Sequence, residues 1–308
     1  MMDRIGLAVL GGDERQISMA RTLADRGFRV FVWGLGACEG RVGDATVCAA
    51  WQDAVERAGV VILPLPASAD GVRVHCPLQD PDLFLRVTTL LDSISGRLLL
   101  GGRLSEATRS IAEQKQIEWI DYFDSEILQL KNAVPTAEGA IAVAMRELPV
   151  TIDGLSAAVI GYGRIGALLG ERLRALGAKV TVYARRQEQR TQAELHHHRV
   201  GRLLCRDGHS VPDGFPPDLR VIFNTVPQWI FTREVLQTLP KACLIIDLAS
   251  APGGIDRTAA QALGVRTVWA TALPGKCAPE SAGRILAETL NGILAEYAIT
   301  PTQHRKDD

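Results

Sequence analysis

The fold of this chain is decided by the stretch Ser156-Ala157-Ala158-Val159-Ile160-Gly161-Tyr162-Gly163-Arg164-Ile165-Gly166. A short apolar run ends in the pattern Gly-x-Gly-x-x-Gly, and apolar residues at helical spacing continue to Leu176. The first glycine permits a tight turn, the second lets a pyrophosphate approach the backbone, and the third lets the helix pack on the strand. The stretch therefore predicts a strand, a turn and a helix whose N-terminus binds a dinucleotide. The alternative is a structural strand–turn–helix unit that binds no dinucleotide.

The strand that follows indicates which dinucleotide is bound. Residues 179–184 form a second apolar strand, and a domain selective for NAD usually places Asp or Glu at the end of this strand. Here the strand runs into Arg185 and Arg186, whose guanidinium groups suit a 2′-phosphate. The sequence predicts NADP. The alternative is that the two arginines belong to a solvated basic loop.

Composition excludes several classes of protein. The 308 residues are enough for two ordinary domains, and 34 Lys plus Arg against 35 Asp plus Glu leave a net charge of −1. This balance offers no support for binding nucleic acid or a membrane surface. The chain shows no signal-peptide pattern and no apolar run of transmembrane length, so a cytoplasmic location is expected.

No metal site is predicted. The six cysteines are scattered without CxxC spacing and are expected to be reduced. The adjacent residues His196, His197 and His198 cannot share one face of a helix or a strand, and they are expected in a solvated segment.

The predicted architecture is α/β, with two Rossmann-like domains, each a doubly wound parallel sheet, joined by long helices with a cleft between them. Its expected parts are an N-terminal substrate domain at 1–134, a linking helix at 135–148, an NADP-binding domain at 149–276, and a C-terminal helix at 277–308 that returns toward the N-terminal domain and ends in a disordered tail. Within the first domain, helices are expected at 82–92 and, capped by Ser105, from residue 106.

Ligands of open α/β sheets bind beyond the carboxyl ends of the strands. This rule gathers around the predicted cleft Gly11, Gly12, Asn132, Thr136, Asn224, Asp247, Ser250 and Lys276. The expected cofactor contacts are Gly161, Gly163, Arg164, Ile165, Gly166, Arg185, Arg186, Asn224, Thr225, Val226, Pro227, Asp247, Ala249 and Ser250.

A dinucleotide beside a second domain favours hydride transfer. The 2-hydroxyacid dehydrogenases share this architecture, but their catalytic arginine should follow the strand at 244–249, where Ser250 and Ala251 stand instead. Their late histidine should lie near 268–277, which contains none. Their reaction is therefore disfavoured, and the stretch from Asp247 to Gly254 looks more like the nucleotide domain of alanine dehydrogenases and transhydrogenases.

Taken in full, the sequence resembles the A-subunit family of dipicolinate synthase. The residues that carry the resemblance are Ala8–Asp13 with Arg15-Gln16, Asn132 with Val134-Pro135-Thr136 and Glu138-Gly139, Val159–Arg164, Asn224–Pro227, Asp247–Ser250 with Pro252-Gly253-Gly254, and Leu273-Pro274-Gly275 with Ala278-Pro279 and Ala282-Gly283. Each motif is ordinary alone, but their order and spacing cover almost the whole chain.

The resemblance implies a specific activity. The family makes pyridine-2,6-dicarboxylate, a spore metabolite, from the lysine-pathway intermediate 4-hydroxy-tetrahydrodipicolinate or its dehydrated form. NADP is the expected acceptor, and the flavoprotein-like B-subunit of dipicolinate synthase is the expected partner. The resemblance also implies a place in the cytoplasm of the mother cell during sporulation.

Such a substrate needs cationic or N–H donors for two carboxylates. Arg15 and Arg103 lie near helix starts and are the expected substrate cations, unless they are plain surface arginines. Further substrate contacts are expected from Gly11, Gly12, Thr136 and Glu138. The candidate catalytic residues are Asp247, Asn132 and Lys276. Asp247 could accept the proton or only cap a strand end, Asn132 would position the ring, and Lys276 would hold a carboxylate.

Two other interpretations stay open. The chain could be a non-catalytic NADP-binding subunit that scaffolds its flavoprotein partner, because the arginine–histidine pair of the hydroxyacid dehydrogenases is missing. It could also be an amino-acid dehydrogenase of the alanine dehydrogenase type. A homo-oligomer is possible in each case.

Overall fold

A computed structural model describes residues 5–206 and 209–301. The chain divides into two compact units. The N-terminal unit comprises Met1–Asn132 and Ala278–Asp308, and the nucleotide unit comprises Ala133–Cys277. The predicted disordered tail at 302–308 lies outside the described residues. No helix in the described part is both long and apolar enough to cross a membrane.

The secondary structure alternates between strands and helices along both units. The strands are β1 (Leu7–Leu10), β2 (Val30–Trp33), β3 (Thr46–Val47), β4 (Val60–Ile62), β5 (Leu98–Gly101), β6 (Trp119–Asp121), β7 (Ser156–Ile160), β8 (Lys179–Ala184), β9 (Arg199–Arg206), β10 (His209–Pro212), β11 (Val221–Asn224), β12 (Leu244–Asp247) and β13 (Arg266–Trp269). The helices are α1 (Glu14–Asp25), α2 (Trp51–Glu56), α3 (Val87–Ser93), α4 (Glu106–Gln114), α5 (Glu126–Glu147), α6 (Arg164–Ala175), α7 (Gln187–Leu195), α8 (Arg233–Gln237), α9 (Arg257–Ala262), α10 (Leu273–Cys277) and α11 (Pro279–Glu296).

The N-terminal unit is built on a parallel sheet of order β3-β2-β1-β4-β5-β6. All four residues of β1 are fully buried, as expected for a central strand covered on both faces. Helix α11 packs against α1. The two helices are so close at Gly283 that a Cβ there would lie 2.5 Å from the Arg15 carbonyl oxygen. Leu286, Leu290 and Leu294 of α11 thereby join the core that surrounds β1.

The nucleotide unit has the sheet order β10-β9-β8-β7-β11-β12-β13. Its strands are parallel except for the edge strand β10, which runs antiparallel to β9. Residues 157–160 of β7 are fully buried, so the glycine triplet follows directly from the centre of the sheet. The predicted fold class, two α/β units with parallel sheets, is confirmed.

Two helices begin elsewhere than predicted. The linking helix, expected at 135–148, begins nine residues earlier as part of α5, which contains Pro135 in its interior. A proline inside a helix removes a single backbone hydrogen bond, and here buried residues at helical spacing, such as Leu128, Ala137 and Ala144, keep the helix packed on both sides of it. In consequence Thr136 and Glu138 lie in the middle of a helix and not in its first turn.

The helix expected at 82–92 begins only at Val87. Residues 81–83 form a turn instead. The residues that follow are held outside the helix, because Val74 donates a hydrogen bond to the Leu85 carbonyl oxygen and an antiparallel bridge joins Arg73 to Arg86. By contrast, the predicted cap at Ser105 is confirmed, since its hydroxyl accepts a hydrogen bond from the Thr108 N–H at 3.1 Å.

The three histidines are only partly solvated, which corrects the sequence prediction. His196 and His197 are exposed, but His198 is buried at 6% exposure against Gly170 and the ring of Tyr162. Neither ring nitrogen of His198 has a hydrogen-bond partner in the described part of the chain. Burial lowers the pKa of His198, and the nearby charge of Arg174 lowers it further.

The burial of His198 predicts a loss of stability in mild acid. Because its pKa is lower folded than unfolded, the unfolded chain takes up the proton first as the pH falls below about 6.5. We expect the His198→Leu variant to lose less unfolding free energy than the parent between pH 7 and pH 5, by up to about 1.4 kcal/mol per pH unit. Urea unfolding at several pH values measures this difference. His197→Asn is the matched control, because Asn tolerates the positive φ of 62° at that position; equal slopes for parent and His198→Leu would contradict the prediction.

Candidate dinucleotide and substrate sites

The glycine triplet of the nucleotide unit forms an open turn. Gly161 has a φ of +93°, and a Cβ there would lie 2.5 Å from Thr225 Oγ1, so only glycine fits. At Gly166 a Cβ would collide with the Gly161 carbonyl oxygen. Because glycine has no Cβ, α6 can pack tightly on the turn. A Cβ on Gly163 would meet nothing within 4 Å. The space beside Gly163 is therefore available to a pyrophosphate at the N-terminus of α6, with Arg164 exposed and Ile165 half-buried alongside.

Arginines follow the carboxyl end of β8, next to this turn. The Gly161 N–H donates to the Tyr183 carbonyl oxygen, and Gln189 Nε2 donates to the Tyr162 carbonyl oxygen, so the turn and the start of α7 are tied together. Arg185 and Arg186 are both exposed at this place, and Ala184 stands where an acidic residue would select NAD. The predicted basic end of the strand therefore lies where the 2′ position of a bound adenosine would be expected.

The glycine pair of the N-terminal unit forms a closed turn. Gly11 and Gly12 have φ values of +74° and +118°, but a Cβ on Gly11 would lie 2.5 Å from Cys76 Sγ. The Gly12 N–H already donates to the His75 carbonyl oxygen at 2.8 Å. The chain's own segment at 74–76 thus occupies the position that a pyrophosphate takes in an open glycine turn, and burial raises the pKa of the Cys76 thiol there to about 11.

Arg15 is committed to a structural ion pair. The residue is 5% exposed, its guanidinium donates to the Asp13 carboxylate through Nε at 2.9 Å and Nη2 at 2.8 Å, and it donates again to the Leu65 carbonyl oxygen. Burial alone would raise the pKa of Asp13, but the hydrogen bonds and charge of Arg15 lower it below its usual value. Since Asp13 also caps α1, this pair fixes the start of that helix. The geometry argues against the expectation that Arg15 holds a substrate carboxylate.

Arg103 keeps its place as a substrate candidate of the N-terminal unit. It follows β5 with a φ of +54°, and its backbone N–H donates to Asp121 at 2.9 Å. Its side chain is exposed, and the guanidinium stands 4.6 Å from the centre of the Phe123 ring. A non-glycine residue in this backbone conformation is uncommon, and here the buried carboxylate of Asp121 holds it in place.

Asp247 and Asn224 are interior residues, which corrects the expected roles of both. Asp247 is 1% exposed and Asn224 is fully buried. The Asp247 carboxylate accepts hydrogen bonds from Asn224 Nδ2 at 2.8 Å, the Ala249 N–H at 3.1 Å and the Gly254 N–H at 3.0 Å. The Asn224 amide also bonds to both backbone polar groups of Val226. Asp247 therefore acts as a strand-end cap and lacks the access that a proton acceptor needs, and Asn224 is not available to a nicotinamide ring.

The other predicted site residues divide between surface and structural positions. Thr225 is half-buried and donates to the Ile160 carbonyl oxygen, which locks the loop after β11 to the glycine turn. Glu138 is exposed and pairs with Arg172 at 3.5 Å. Lys276 is exposed, but it lies in the short helix α10 and not at a strand end as predicted. The remaining positions divide by exposure: Asn132, Thr136 and Val226 are half-buried, Ala249 is buried, and Pro227 and Ser250 are exposed.

One arginine that the sequence did not reveal reaches the turn after β12. The neighbourhood of Ser250 and Ala251 contains no arginine in sequence, but the Arg257 guanidinium lies beside Gly253, 3.7 Å from where a Cβ on that glycine would stand. The same guanidinium stacks over the Trp269 ring at 3.7 Å. The contact with Trp269 joins the start of α9 to the end of β13, so spacing along the chain could not reveal it. Among the described residues, no group of three His, Cys, Asp or Glu side chains could hold a metal ion.

The chain is similar to known proteins over most of its length. Residues 6–123 match the N-terminal domain of the dipicolinate synthase A-subunit, and residues 127–204 match the NAD-binding domain of D-isomer-specific 2-hydroxyacid dehydrogenases. The dipicolinate synthase A-subunit of Bacillus subtilis (strain 168) is 29% identical over 297 residues, which cover 96% of this chain and 98% of the relative.

Solved structures show the same similarity. The A chain of dipicolinate synthase from Bacillus subtilis superposes with a TM-score of 0.81 at 28% identity, covering 97% of this chain and 98% of that one. The dipicolinate synthase A-subunit from Bacillus halodurans gives a TM-score of 0.80 at 25% identity, covering 94% and 98%. The domain match also means that the nucleotide unit is of the dehydrogenase type, although the arginine and histidine expected for hydroxyacid chemistry are absent from the stretches named above.

The open turn predicts a selective effect of a single methyl group. In the Gly163→Ala variant the added Cβ meets no protein atom, so the thermal unfolding temperature should stay within about 2 °C of the parent. The methyl would stand where the pyrophosphate approaches, so the affinity for the nicotinamide dinucleotide should fall at least about 10-fold. Calorimetric titration measures the affinity. Gly292→Ala, which also places a Cβ in open space, is the control and should bind normally; normal binding by Gly163→Ala would contradict the assignment of the site.

Proposed function

This chain belongs to the A-subunit family of dipicolinate synthase, and from that premise we propose that it oxidises a partly reduced pyridine-2,6-dicarboxylate to dipicolinate with NADP as hydride acceptor. Its nucleotide unit is a nicotinamide-dinucleotide domain of the dehydrogenase type, which supports an oxidoreductase. The observation that carries the proposal is the contrast between the two glycine turns. The turn at Gly163 is open to a dinucleotide, whereas the turn at Gly11 is filled by Cys76. The N-terminal unit therefore does not offer a second dinucleotide site of this kind.

The preference for NADP rests on the exposed arginines after β8. Arg185 and Arg186 present planar guanidinium groups that can bind a 2′-phosphate with paired hydrogen bonds. Arg190 is not a third phosphate ligand of the same kind, because it donates to the carbonyl oxygens of Ala184 and Arg185 and so supports this loop. A hydrogen bond to a charged group contributes about 1.5–3 kcal/mol, enough for a 10- to 100-fold preference over NAD.

The proposed reaction is balanced without a further co-reactant. Dihydrodipicolinate loses a hydride from a ring carbon to the nicotinamide and a proton to water, which yields the aromatic pyridine. The 4-hydroxy-tetrahydro compound first loses water and then follows the same course. Because aromatisation drives the step, the chain's own residues need to bind the carboxylates and align the ring, which is mainly positioning.

A second protein is part of the proposal. The relatives in Bacillus are named as the A-subunit of dipicolinate synthase, which implies a further subunit in those enzymes. We expect a flavoprotein-like B-subunit to assemble with this chain in the cytoplasm of the sporulating mother cell.

The proposed function is tested by supplying 4-hydroxy-tetrahydrodipicolinate and NADP to the purified chain, with and without the B-subunit. We expect NADPH to form in step with dipicolinate in at least one condition. Formation of neither product in both conditions would contradict the proposal and favour a scaffolding role. Turnover of alanine in place of the dicarboxylate would favour an amino-acid dehydrogenase.

The cofactor preference can be tested by changing one arginine. The parent chain should bind NADPH about 10- to 100-fold more tightly than NADH, and Arg185→Asp should remove or reverse this ratio, because a carboxylate repels the 2′-phosphate and accepts a ribose hydroxyl. Calorimetric or fluorescence titration with both nucleotides gives the ratio. Arg199→Asp is the control, since Arg199 is also exposed but begins β9 at the opposite edge of the sheet. Equal affinities of the parent for the two nucleotides would overturn the assignment.

A further inference from the structure

An exposed arginine is held in a fixed position at the carboxyl edge of the nucleotide sheet. Arg257 begins α9, and its guanidinium lies over the Trp269 ring, 3.7 Å from the ring centre. Trp269 ends β13, and its Nε1 donates to the Ala249 carbonyl oxygen at 3.0 Å. The hydrogen bond fixes the plane of the indole, and the stacking fixes the plane of the guanidinium on it.

The ion pairs of the described residues do not include Arg257. Within the described residues no carboxylate forms an ion pair with Arg257, whereas Arg15 and Arg109 have carboxylate partners at 2.8 Å and 2.7 Å. The two acidic residues of this loop have other partners, since the Asp247 carboxylate accepts three hydrogen bonds and the Asp256 carboxylate accepts one from the Ala259 N–H. Gly253, which faces the Arg257 guanidinium, has no side chain to cover it, and Trp269 is 41% exposed.

The position suits a ligand that reacts beside the nucleotide. The strands β11, β12 and β13 end here, at the edge where open parallel sheets bind ligands. Strand β12 is the second neighbour of β7, about 10 Å away at the usual strand spacing. Arg257, which contacts Gly253 after β12 and Trp269 at the end of β13, therefore lies at the same carboxyl edge of the sheet as the open glycine turn.

We propose that Arg257, held on Trp269, binds one carboxylate of the planar pyridine dicarboxylate. The inference rests on the proposed function, because it names a contact that recognises that substrate class. A guanidinium stacked through its face keeps its N–H edge directed outward, and this edge matches a carboxylate with two parallel hydrogen bonds. The stacking holds the side chain before the ligand arrives, so little rotamer freedom is lost on binding. The indole beside it offers an apolar surface to the ring of the ligand.

The test compares two ligands and two variants by calorimetry, in the presence of saturating NADP. Dipicolinate carries two carboxylates, and picolinate (pyridine-2-carboxylate) carries one. We expect Arg257→Gln to weaken dipicolinate binding about 10- to 100-fold and to remove most of the parent's preference for dipicolinate over picolinate. Trp269→Leu, which removes the stacking surface, should weaken dipicolinate binding by a smaller factor.

Arg233→Gln is the matched control, because Arg233 is an exposed arginine that begins the short helix α8 of the same unit. It should bind dipicolinate as the parent does. NADP affinity should be unchanged in Arg257→Gln, which also shows that the variant is folded. Dipicolinate affinity within 2-fold of the parent in Arg257→Gln, an equal loss in Arg233→Gln, or a loss of NADP affinity in place of dipicolinate affinity would each overturn the inference.

These outcomes are distinct from a failure of the proposed function. If the parent binds dipicolinate through Arg257 but forms no NADPH with or without the B-subunit, the result supports the carboxylate site and contradicts the redox role. If the parent oxidises the dicarboxylate and Arg257→Gln keeps the same KM for it, the result supports the redox role and contradicts the carboxylate site.

Discussion

The buried carboxylate of Asp247 is the contact on which the shape of the nucleotide site depends. In a parallel sheet the strands end together, and the loops that follow must leave the sheet without regular hydrogen bonds. Asp247 supplies those bonds, because it accepts from Asn224 at the end of the neighbouring strand and from the N–H groups of Ala249 and Gly254 in its own loop. The loops after β11 and β12 are thereby fixed to each other. The exposed residues of these loops, such as Pro227 and Ser250, are placed by a group that is itself buried.

The same local motif leaves space for a ligand in one unit and is filled by the protein in the other. Both begin with a strand, a glycine turn and a helix, and both glycine turns contain residues with positive φ. In the nucleotide unit the third glycine brings α6 close and leaves the space at the middle glycine empty. In the N-terminal unit the segment at 74–76 folds back over Gly11 and Gly12, and the Asp13–Arg15 pair takes the place of a ligand at the helix start. A negatively charged side chain at a helix N-terminus supplies the charge that a phosphate would otherwise supply.

The sequence predicted the fold more fully than it predicted the site. The glycine triplet and the cap at Ser105 were readable because each depends on residues that are close along the chain. Pro135 misled the interpretation of α5, because the loss of one hydrogen bond is outweighed by packing that spacing alone does not reveal. His198, in the link between α7 and β9, looked solvated for a similar reason, since its burial depends on Gly170 of α6. Arg257 was missed because its significance comes from Trp269, which lies on another element and reaches it only in the folded chain.

The return of α11 to the N-terminal unit has a consequence for the order of events during synthesis. The nucleotide unit is one continuous segment, and its residues have all been made by the time Cys277 is added. The N-terminal unit instead waits for Leu286, Leu290 and Leu294, which complete the core around β1. A ribosome-bound chain would thus hold an incomplete first unit, with the apolar face of α1 uncovered, while the second unit is already able to fold. The unit whose translation begins earlier is therefore the unit whose core is completed later.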